Sequence, residues 1–492
     1  MSDDMVSLNQ EALSSKSNYN QMQKKTIIYR LLLMLIVASS LQSCFVAKQY
    51  QRPEIETEDL YRDISTNDST TLAQMPWEDL FTDSKLRTLI KTGLSDNLDL
   101  MMAIERVRAS EAYYKQGKMG FLPSLSLGAN GGKFEASDNS LSGVSAGGNG
   151  PSYENYQLTG SLSWEADIWG KIRSQKRATQ ASYLKSEAAR RAVESTLVAK
   201  IASAYFQLIA LDAQVELAKQ TVANRTESLK TMQSLKAAAR VTETAVKQTE
   251  AQLYSTQILL LDLERNVKLL ENTMSLLLGK ESGSIERGRL DDQVITVDLK
   301  TGFAAQLLRN RPDVMVAEYG LMNAFELRNV AHSNFYPSIS LSASAGLESI
   351  SFDNWFNTSS IFSNLVGNLT QPLFNKRKIR TQYEVSKAQQ KEATYNFKRA
   401  LLIAGKEVSD ALYTYQIEKE KYEIRKHELQ ALTEAVSFSE ELLNRGYANT
   451  TYLEVLTARS NALSSEINTI DSRFKQLNAV VELYQALGGG WK

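Results

Sequence analysis

Residues 156–168 read "YQLTGSLSWEADI", and the alternation in this stretch decides the fold. Apolar residues or glycine occupy every second position from Tyr156 to Ile168, and polar residues occupy the positions between them. Successive side chains of a β-strand point to opposite faces, so the pattern predicts a strand with one apolar and one polar face. The run is about twice as long as a typical soluble strand. It matches the roughly ten-residue segments of transmembrane β-strands, which face lipid on one side and a polar lumen on the other.

The same alternation recurs three more times. We expect strands at about 123–134, 155–169, 336–348 and 361–374, of which the last is the weakest. A soluble β-sandwich would also alternate, but only four strands are predicted and the rest of the chain has helical patterns. Aromatic residues bracket the segments, as the interfaces of a membrane favour. Those expected at the interface nearer the helices are Phe121, Trp169, Phe335, Tyr336 and Phe374.

A repeated phrase indicates that the chain is duplicated. Residues 121–129 read "FLPSLSLGA" and residues 335–343 read "FYPSISLSA". Further on, "DIWGKIRSQ" (167–175) corresponds to "PLFNKRKIRTQ" (372–382), which has two extra residues. We predict tandem repeats over residues 91–280 and 305–492, joined by a connecting segment at 281–304. In each repeat the phrase marks the place where a helix ends and the chain enters the bilayer, because proline ends helices and aromatic residues prefer the interface.

Long helices are predicted after each pair of strands. No proline or glycine occurs from Lys171 to Leu278, and apolar residues keep the three- and four-residue spacing of an amphipathic helix. In the second half, Leu401, Val408 and Tyr415 begin a run spaced by seven, which is typical of coiled coils. We expect helices over 171–278 and 376–487, turning near 236–243 and 444–451, where the apolar pattern lapses. A helix of roughly 60 residues is about 90 Å long, so these helices would extend far beyond a membrane.

Four lipid-facing strands cannot stand alone in a membrane. An open sheet edge in hydrocarbon leaves backbone groups unpaired, and bacterial barrels begin at eight strands. Several chains must therefore contribute four strands each, and three chains would supply twelve. We predict an α+β membrane protein: a trimeric, 12-stranded transmembrane β-barrel, with four strands per chain, continued by long coiled-coil helices and lined by the polar strand face.

The amino-terminal region predicts export and lipidation. A basic segment, "MQKKTIIYR" (22–30), precedes an apolar stretch at 31–37 that is too short to span a bilayer. The following "LQSC" (41–44) resembles a bacterial lipobox, which implies cleavage before Cys44 and lipidation of that residue. The alternative is an ordinary secretory signal containing a cysteine, but Cys44 is the only cysteine of the chain. We expect a signal peptide at 1–43, with translation starting at Met22, and a lipid-anchored segment at 44–90.

The composition argues against several classes of function. Lys plus Arg and Asp plus Glu both number 56, so no charge excess indicates a nucleic-acid partner. Only two histidines occur, His332 and His427, and the sequence contains no HExxH, P-loop or GxSxG motif. We therefore expect no enzyme, no cofactor and no metal site; a scattered carboxylate site is the enzymatic alternative.

Several segments, in order, resemble the TolC-like outer membrane factor family, specifically its lipoprotein branch of the OprM or NodT type. They are "YQRP" (50–53), "WEDLFTDSKLRTLIKTGLSDNLDLMMAIERVRASEA" (77–112), "SWEADIWGKIR" (163–173), "RPDVMVAEYGLMNA" (311–324), "FYPSISL" (335–341) and "YLEVLTARSNAL" (452–463). The resemblance implies a homotrimer in the cell outer membrane, lipid-anchored and spanning, with a large periplasmic α-helical barrel. It also implies docking to a periplasmic adaptor protein and an inner-membrane pump, commonly of the RND class. The implied function is passive: a duct through which the pump expels solutes.

A gate is expected at the helix turns farthest from the strands. The apolar heptads stop near 443 and resume near 455, so the helix ends there can part without unpacking a core. The family often has an aspartate where this chain has Thr457. Glu454, one turn earlier, is our candidate pore carboxylate, with Glu243 as its counterpart in the first half and Tyr452 adjoining it. The alternative is that both glutamates are solvated charges at helix tips.

Three functions fit these patterns. The first is the exit duct of a tripartite efflux system, and the second is the same duct serving type I protein secretion. The third, a non-transporting, lipid-anchored coiled-coil scaffold, leaves the four alternating segments unexplained. The transported substrate is not indicated, because the twelve methionines form no cluster beyond Met101–Met102.

Overall fold

The chain divides into a strand unit and a helix unit. The computed structural model describes residues 47–54, 60–62, 71–145, 152–294, 306–445 and 452–491. The strand unit holds the described residues among 1–51, 116–178 and 325–388, and the helix unit holds those among 52–115, 179–324 and 389–492. Cys44 and the predicted signal peptide lie outside the described residues.

Strands and helices alternate in the order of a duplication. The strands are β1 (Ser124–Glu135), β2 (Ser152–Glu165), β3 (Ser338–Ser349) and β4 (Ile361–Thr370). The helices are α1 (Trp77–Leu80), α2 (Ser84–Asp96), α3 (Leu98–Met119), α4 (Leu141–Ser145), α5 (Lys171–Ala237), α6 (Glu243–Leu277), α7 (Leu307–Asn310), α8 (Pro312–Ser333), α9 (Lys378–Asn444) and α10 (Tyr452–Ala486).

β2 and β4 end four residues earlier than the alternation in the sequence suggests, at Glu165 and Thr370. After β2, Asp167 leaves the sheet and caps α5, because its carboxylate accepts hydrogen bonds from the Ile172 and Arg173 N–H groups at 2.8 and 3.0 Å. After β4, Pro372 has no N–H to continue the ladder. The alternation continues past both strand ends, but backbone pairing does not.

Each long helical segment consists of two helices. In the first, α5 and α6 are separated by a turn in which Ala239 has a left-handed backbone (φ 57°). The Thr242 side chain then caps α6 by accepting a hydrogen bond from the Ala245 N–H. In the second, the turn between α9 and α10 falls largely on residues outside the described part. The apolar spacing corresponds to buried faces: Ile201, Leu208 and Met274 are fully buried.

The described part of the connecting segment, residues 281–294, packs on the helix unit without regular structure. The Arg287 guanidinium joins it to α5 and α6 by binding the carboxylates of Asp212 and Glu271 at 2.8 and 2.7 Å. Burial alone would raise the pKa of Glu271, but hydrogen bonds from Arg287 and Lys268 outweigh burial and lower that pKa. Arg287 therefore fixes the segment electrostatically against the helices.

Candidate functional site

The four strands form one antiparallel sheet in the order β1-β2-β3-β4, and their register separates its two faces. One row across the sheet consists of Leu125, Leu162, Ala343 and Leu365. The next row consists of Ser126, Ser161, Ser344 and Asn364. Because adjacent rows point to opposite sides, these rows give the sheet one apolar and one polar face, although Lys133, Glu135 and Glu154 lie on the apolar face at the ends of β1 and β2 that are farthest from α3 and α5.

The polar face carries hydroxyl and amide groups and almost no charge. Alternation places only two acidic side chains and no basic one on it, namely Glu165 and Glu348 at opposite ends of the sheet. Glu165 is paired with Lys171 at 2.9 Å. Two apolar side chains, Phe362 and Val366, interrupt this face on β4. Such a surface can be wetted by water but applies little electrostatic selection to a passing solute.

The sheet is open at both sides. Within the described residues, β1 pairs only with β2 and β4 pairs only with β3. The apolar residues of these two strands are exposed, as shown by Leu125 and Leu127 at 78% and Leu369 at 71%. Long apolar edge strands with unpaired N–H and C=O groups call for another strand to cover them.

Most of the aromatic residues predicted at the interface pack together where the strands meet the helices. Trp169 stacks on Tyr336 with ring centroids 4.9 Å apart, and its Nε1–H donates to the Pro337 carbonyl at 2.6 Å. Phe335 packs edge-on against Tyr383 at 5.6 Å. This cluster surrounds the entry to β3 with amphipathic rings.

Phe121 and Phe374 are placed differently from that cluster. The Phe121 carbonyl accepts a hydrogen bond from the Trp164 indole at 2.9 Å, and its ring is 37% exposed. Phe374 is 88% exposed. All five predicted aromatic residues thus lie in the strand unit, but Phe374 is almost fully uncovered.

The segment after Cys44 is fixed against the strand unit from Ala47 onward. Gly170, with φ 76°, leaves room for it: a Cβ atom at Gly170 would lie 2.9 Å from the Ala47 Cβ. The Lys48 carbonyl then accepts a hydrogen bond from Asn329 at 2.9 Å. Ala47 and Lys48, the first described residues after the predicted lipidation site, are thus held against the strand unit.

The gate candidates lie at the ends of helices in the helix unit. Glu454 is exposed in the first turn of α10 and has no hydrogen bond or ion pair to a described residue. Glu243 is the first residue of α6 and is paired with Lys236 across the turn. The Tyr452 hydroxyl is hydrogen-bonded to that of Thr249 on α6 at 3.1 Å. Glu454 therefore keeps an uncompensated charge among the described residues, whereas Glu243 does not.

A polar cluster near these helix ends joins two helical hairpins, the first formed by α5 and α6 and the second by α9 and α10. The sequence patterns did not reveal this cluster. Arg459 on α10 donates hydrogen bonds to Glu440 on α9 and to Ser228 on α5, both at 2.7 Å. Arg225 on α5 donates to the Thr256 hydroxyl and the Gln252 carbonyl on α6, both at 2.6 Å. The available signal was the break in the apolar run of α5 at Arg225.

The polar cluster borders a cavity of about 740 Å³ that also contacts Tyr452 and Glu466. Burial and the nearby Arg459 lower the pKa of Arg225, and burial raises the pKa of Glu466. Charged groups in an incompletely packed space indicate a region that can rearrange without unpacking an apolar core. Among the described residues, no group of three or more His, Cys, Asp or Glu side chains could hold a metal ion.

Known proteins that resemble this chain are outer membrane and efflux proteins. The family profile described as "Outer membrane efflux protein" matches residues 89–280 and 304–489, in two separate segments. The "Cation efflux system protein CusC" of Escherichia coli O157:H7 is 28% identical over 94% of this chain and 99% of its own length. The "Probable outer membrane lipoprotein SilC" of Salmonella typhimurium is 26% identical over 91% of this chain and 95% of its own.

A solved structure has the same fold. A crystal structure of CusC, whose title refers to "transmembrane channel formation", superposes with a TM-score of 0.81 at 26% identity. The match covers 91% of this chain and all of that one. The predicted fold class is therefore confirmed.

Proposed function

Because this chain belongs to the outer membrane efflux protein family, we propose that three copies of it form the exit duct of a tripartite efflux system. Membership confirms the predicted resemblance, the role as an outer membrane channel for efflux, and the location in the outer membrane. The copy number, the partners, the gate and the acylated residue are parts of the proposal.

The in-register separation of the sheet faces carries the proposal. A four-stranded sheet whose apolar rows are exposed and whose edges are unpaired cannot remain open in hydrocarbon. Three copies, each pairing its β4 with the β1 of the next, give twelve strands with no free edge. The serine rows then face a water-filled lumen, and the leucine rows face lipid.

The family role of this chain is that of a channel. A channel is a passive conduit, so we expect partners to drive transport. We assign the driving force to an inner-membrane pump of the RND class and the connection to a periplasmic adaptor protein. CusC is named as a cation efflux system protein, which favours efflux over protein secretion. The hydroxyl-lined face offers no thioether or imidazole ligand, so we assign selection of the cargo to the pump.

The gate is proposed at the helix ends around Tyr452 and Glu454. Three copies of Glu454 facing one axis would form a ring of carboxylates that attracts cations. The Tyr452–Thr249 and Arg459–Ser228 hydrogen bonds join the second hairpin to the first and must break if that hairpin swings outward. Lys236 neutralises Glu243, which makes Glu243 the weaker candidate.

Lipidation of Cys44 completes the proposal. The support is the lipobox-like "LQSC" (41–44) and the likeness to SilC, which is named as a probable outer membrane lipoprotein.

Native mass spectrometry and planar bilayers test this function together. The proposal predicts a mass of three chains, each acylated at Cys44, and a conductance that closes and opens in discrete steps. A monomer that conducts, or a trimer without conductance under any voltage, would contradict it.

A further inference from the structure

The turn between β4 and α9 differs from its counterpart in the first repeat. Gly170, with φ 76°, corresponds to Arg377, with φ 66°. The preceding Lys376, one of the two inserted residues, has φ 52°. Two consecutive residues with side chains therefore adopt the left-handed conformation that favours glycine. Such strain persists where the surroundings or a function requires it.

The charges of the two turns also differ. In the first repeat, Lys171 is paired with Glu165 and Arg173 with Asp167, each at 2.9 Å. In the second repeat, the turn has more basic than acidic side chains.

There, Arg377 and Arg380 share the single carboxylate of Glu384 at 3.1 and 3.2 Å. Their guanidinium groups lower the pKa of Glu384, so it stays ionised. Lys376 is exposed and has no ion-pair partner among the described residues. Excess positive charge is thus left at this turn only.

Two large apolar side chains project from the same turn. Leu373 is 95% exposed and Phe374 is 88% exposed. Their counterpart Trp169 is instead packed on Tyr336. An exposed apolar pair beside basic groups, at the end of the membrane-spanning strands, has the composition of a surface that enters the interfacial layer.

Glu384 holds the basic groups Arg377 and Arg380 together. Arg377 immediately precedes α9 and Arg380 lies in its first turn, and both guanidinium groups reach the Glu384 carboxylate. Lys378 instead borders a cavity of about 380 Å³ together with Glu165 and Thr370, which belong to the polar face. Lys378 is therefore a basic residue next to the turn whose side chain lies beside the polar face of the sheet.

We propose that this turn cluster, formed by Leu373, Phe374, Lys376, Arg377 and Arg380, binds the head groups of anionic phospholipids in the periplasmic leaflet of the outer membrane. The apolar pair inserts among acyl chains, and the basic groups contact the phosphates from the lipid-facing side. Anionic lipid is favoured over a second copy of the chain as the occupant, because the excess charge needs a negative partner. The inference rests on the outer membrane location and is independent of conduction and gating.

Native mass spectrometry of the purified assembly, titrated with phosphatidylglycerol or with phosphatidylcholine, tests the proposal. The wild type should bind phosphatidylglycerol more tightly than phosphatidylcholine. Lys376→Gln should weaken that binding by about fivefold at low salt and leave phosphatidylcholine binding unchanged. Lys378→Gln, the matched control, should bind both lipids as the wild type does. Equal binding by Lys376→Gln and the wild type, or an equal loss in Lys378→Gln, would overturn the proposal.

Arg377→Gly provides a second, independent variant, because it restores the residue of the first repeat. It should weaken phosphatidylglycerol binding and raise the melting temperature of the assembly, since glycine relieves the left-handed strain. If it instead releases monomers while the remaining trimers keep their lipid preference, the cluster serves subunit contact and the lipid proposal is wrong.

Discussion

Leu158 and Thr159 are adjacent on β2, and the two faces of the sheet predict opposite results when each is replaced by arginine. Leu158 lies opposite Ala129 and Leu347 on the apolar face, whereas Thr159 lies opposite Gly128 and Gly346 on the polar face. β2 has 14 residues, so both positions are near the middle of the strand.

The expected magnitude follows from depth and copy number. An arginine facing lipid at the bilayer midplane costs about 2–4 kcal/mol, so three copies in one barrel cost about 6–12 kcal/mol. That sum is comparable with the whole stability of a typical folded domain, roughly 5–15 kcal/mol. Leu158→Arg should therefore largely abolish membrane-inserted trimer. Thr159→Arg should insert, because position 159 lies on the polar face between two glycines, so the guanidinium group faces the lumen and not lipid.

Outer membrane fractions washed with urea and run unheated on gels measure the inserted trimer. Planar bilayers add a second measurement: Thr159→Arg should shift the conductance towards anions, because three guanidinium groups then line the lumen. Equal insertion of the two variants would refute the idea that the sheet spans the membrane. Insertion of Leu158→Arg but not of Thr159→Arg would show that the faces are assigned the wrong way round.

Three further predictions concern other parts of the chain. In single-channel recordings, Glu454→Gln should reduce the cation preference of the resting channel, and Arg459→Ala should raise its open probability. If neither property changes, other residues form the gate. Cys44→Ser should abolish acylation seen by mass spectrometry but leave trimer insertion intact, whereas loss of the barrel would mean that the lipid is needed for assembly. Glu271→Gln should destabilise the helix unit at neutral pH by about 2 kcal/mol, because Arg287 loses a buried partner. The folded-state pKa of Glu271 is lowered, so this stability is present above the unfolded-state pKa and is lost as the pH falls through the folded-state pKa. The stabilities of variant and wild type should therefore converge once the pH lies below the folded-state pKa.

The sequence indicated the fold because its strongest signals are periodic. Alternation from Tyr156 to Ile168 predicted β2 and its two faces, and the buried Ile201 and Leu208 follow the predicted helical spacing. The open edges of the sheet follow from the strand count alone. The alternation predicted the end of β2 wrongly because of one side chain. Asp167 continues the alternation of polar and apolar residues, but its carboxylate caps α5.

The site was less predictable, because its contacts join residues far apart in sequence. The distance of 231 residues between Ser228 and Arg459 leaves no periodic trace, so the polar cluster between the hairpins was missed. The pairing of Glu243 with Lys236 depends on the turn conformation and not on either residue type. The left-handed backbone of Lys376 and Arg377 was equally invisible, since neither residue type favours it.

Disulfide crosslinking between the two edge strands shows whether three copies of the chain close one barrel. Asn364 on β4 is replaced by cysteine and combined, one at a time, with cysteine at Ser124, Ser126, Gly128 or Asn130 on β1. Within one chain these strands are separated by three strand spacings, about 14 Å, which is too far for a disulfide. Closure of the barrel by three copies predicts that at least one pair crosslinks and that the products end at three chains. No crosslink at any pair, or a ladder that continues beyond three, would contradict the account.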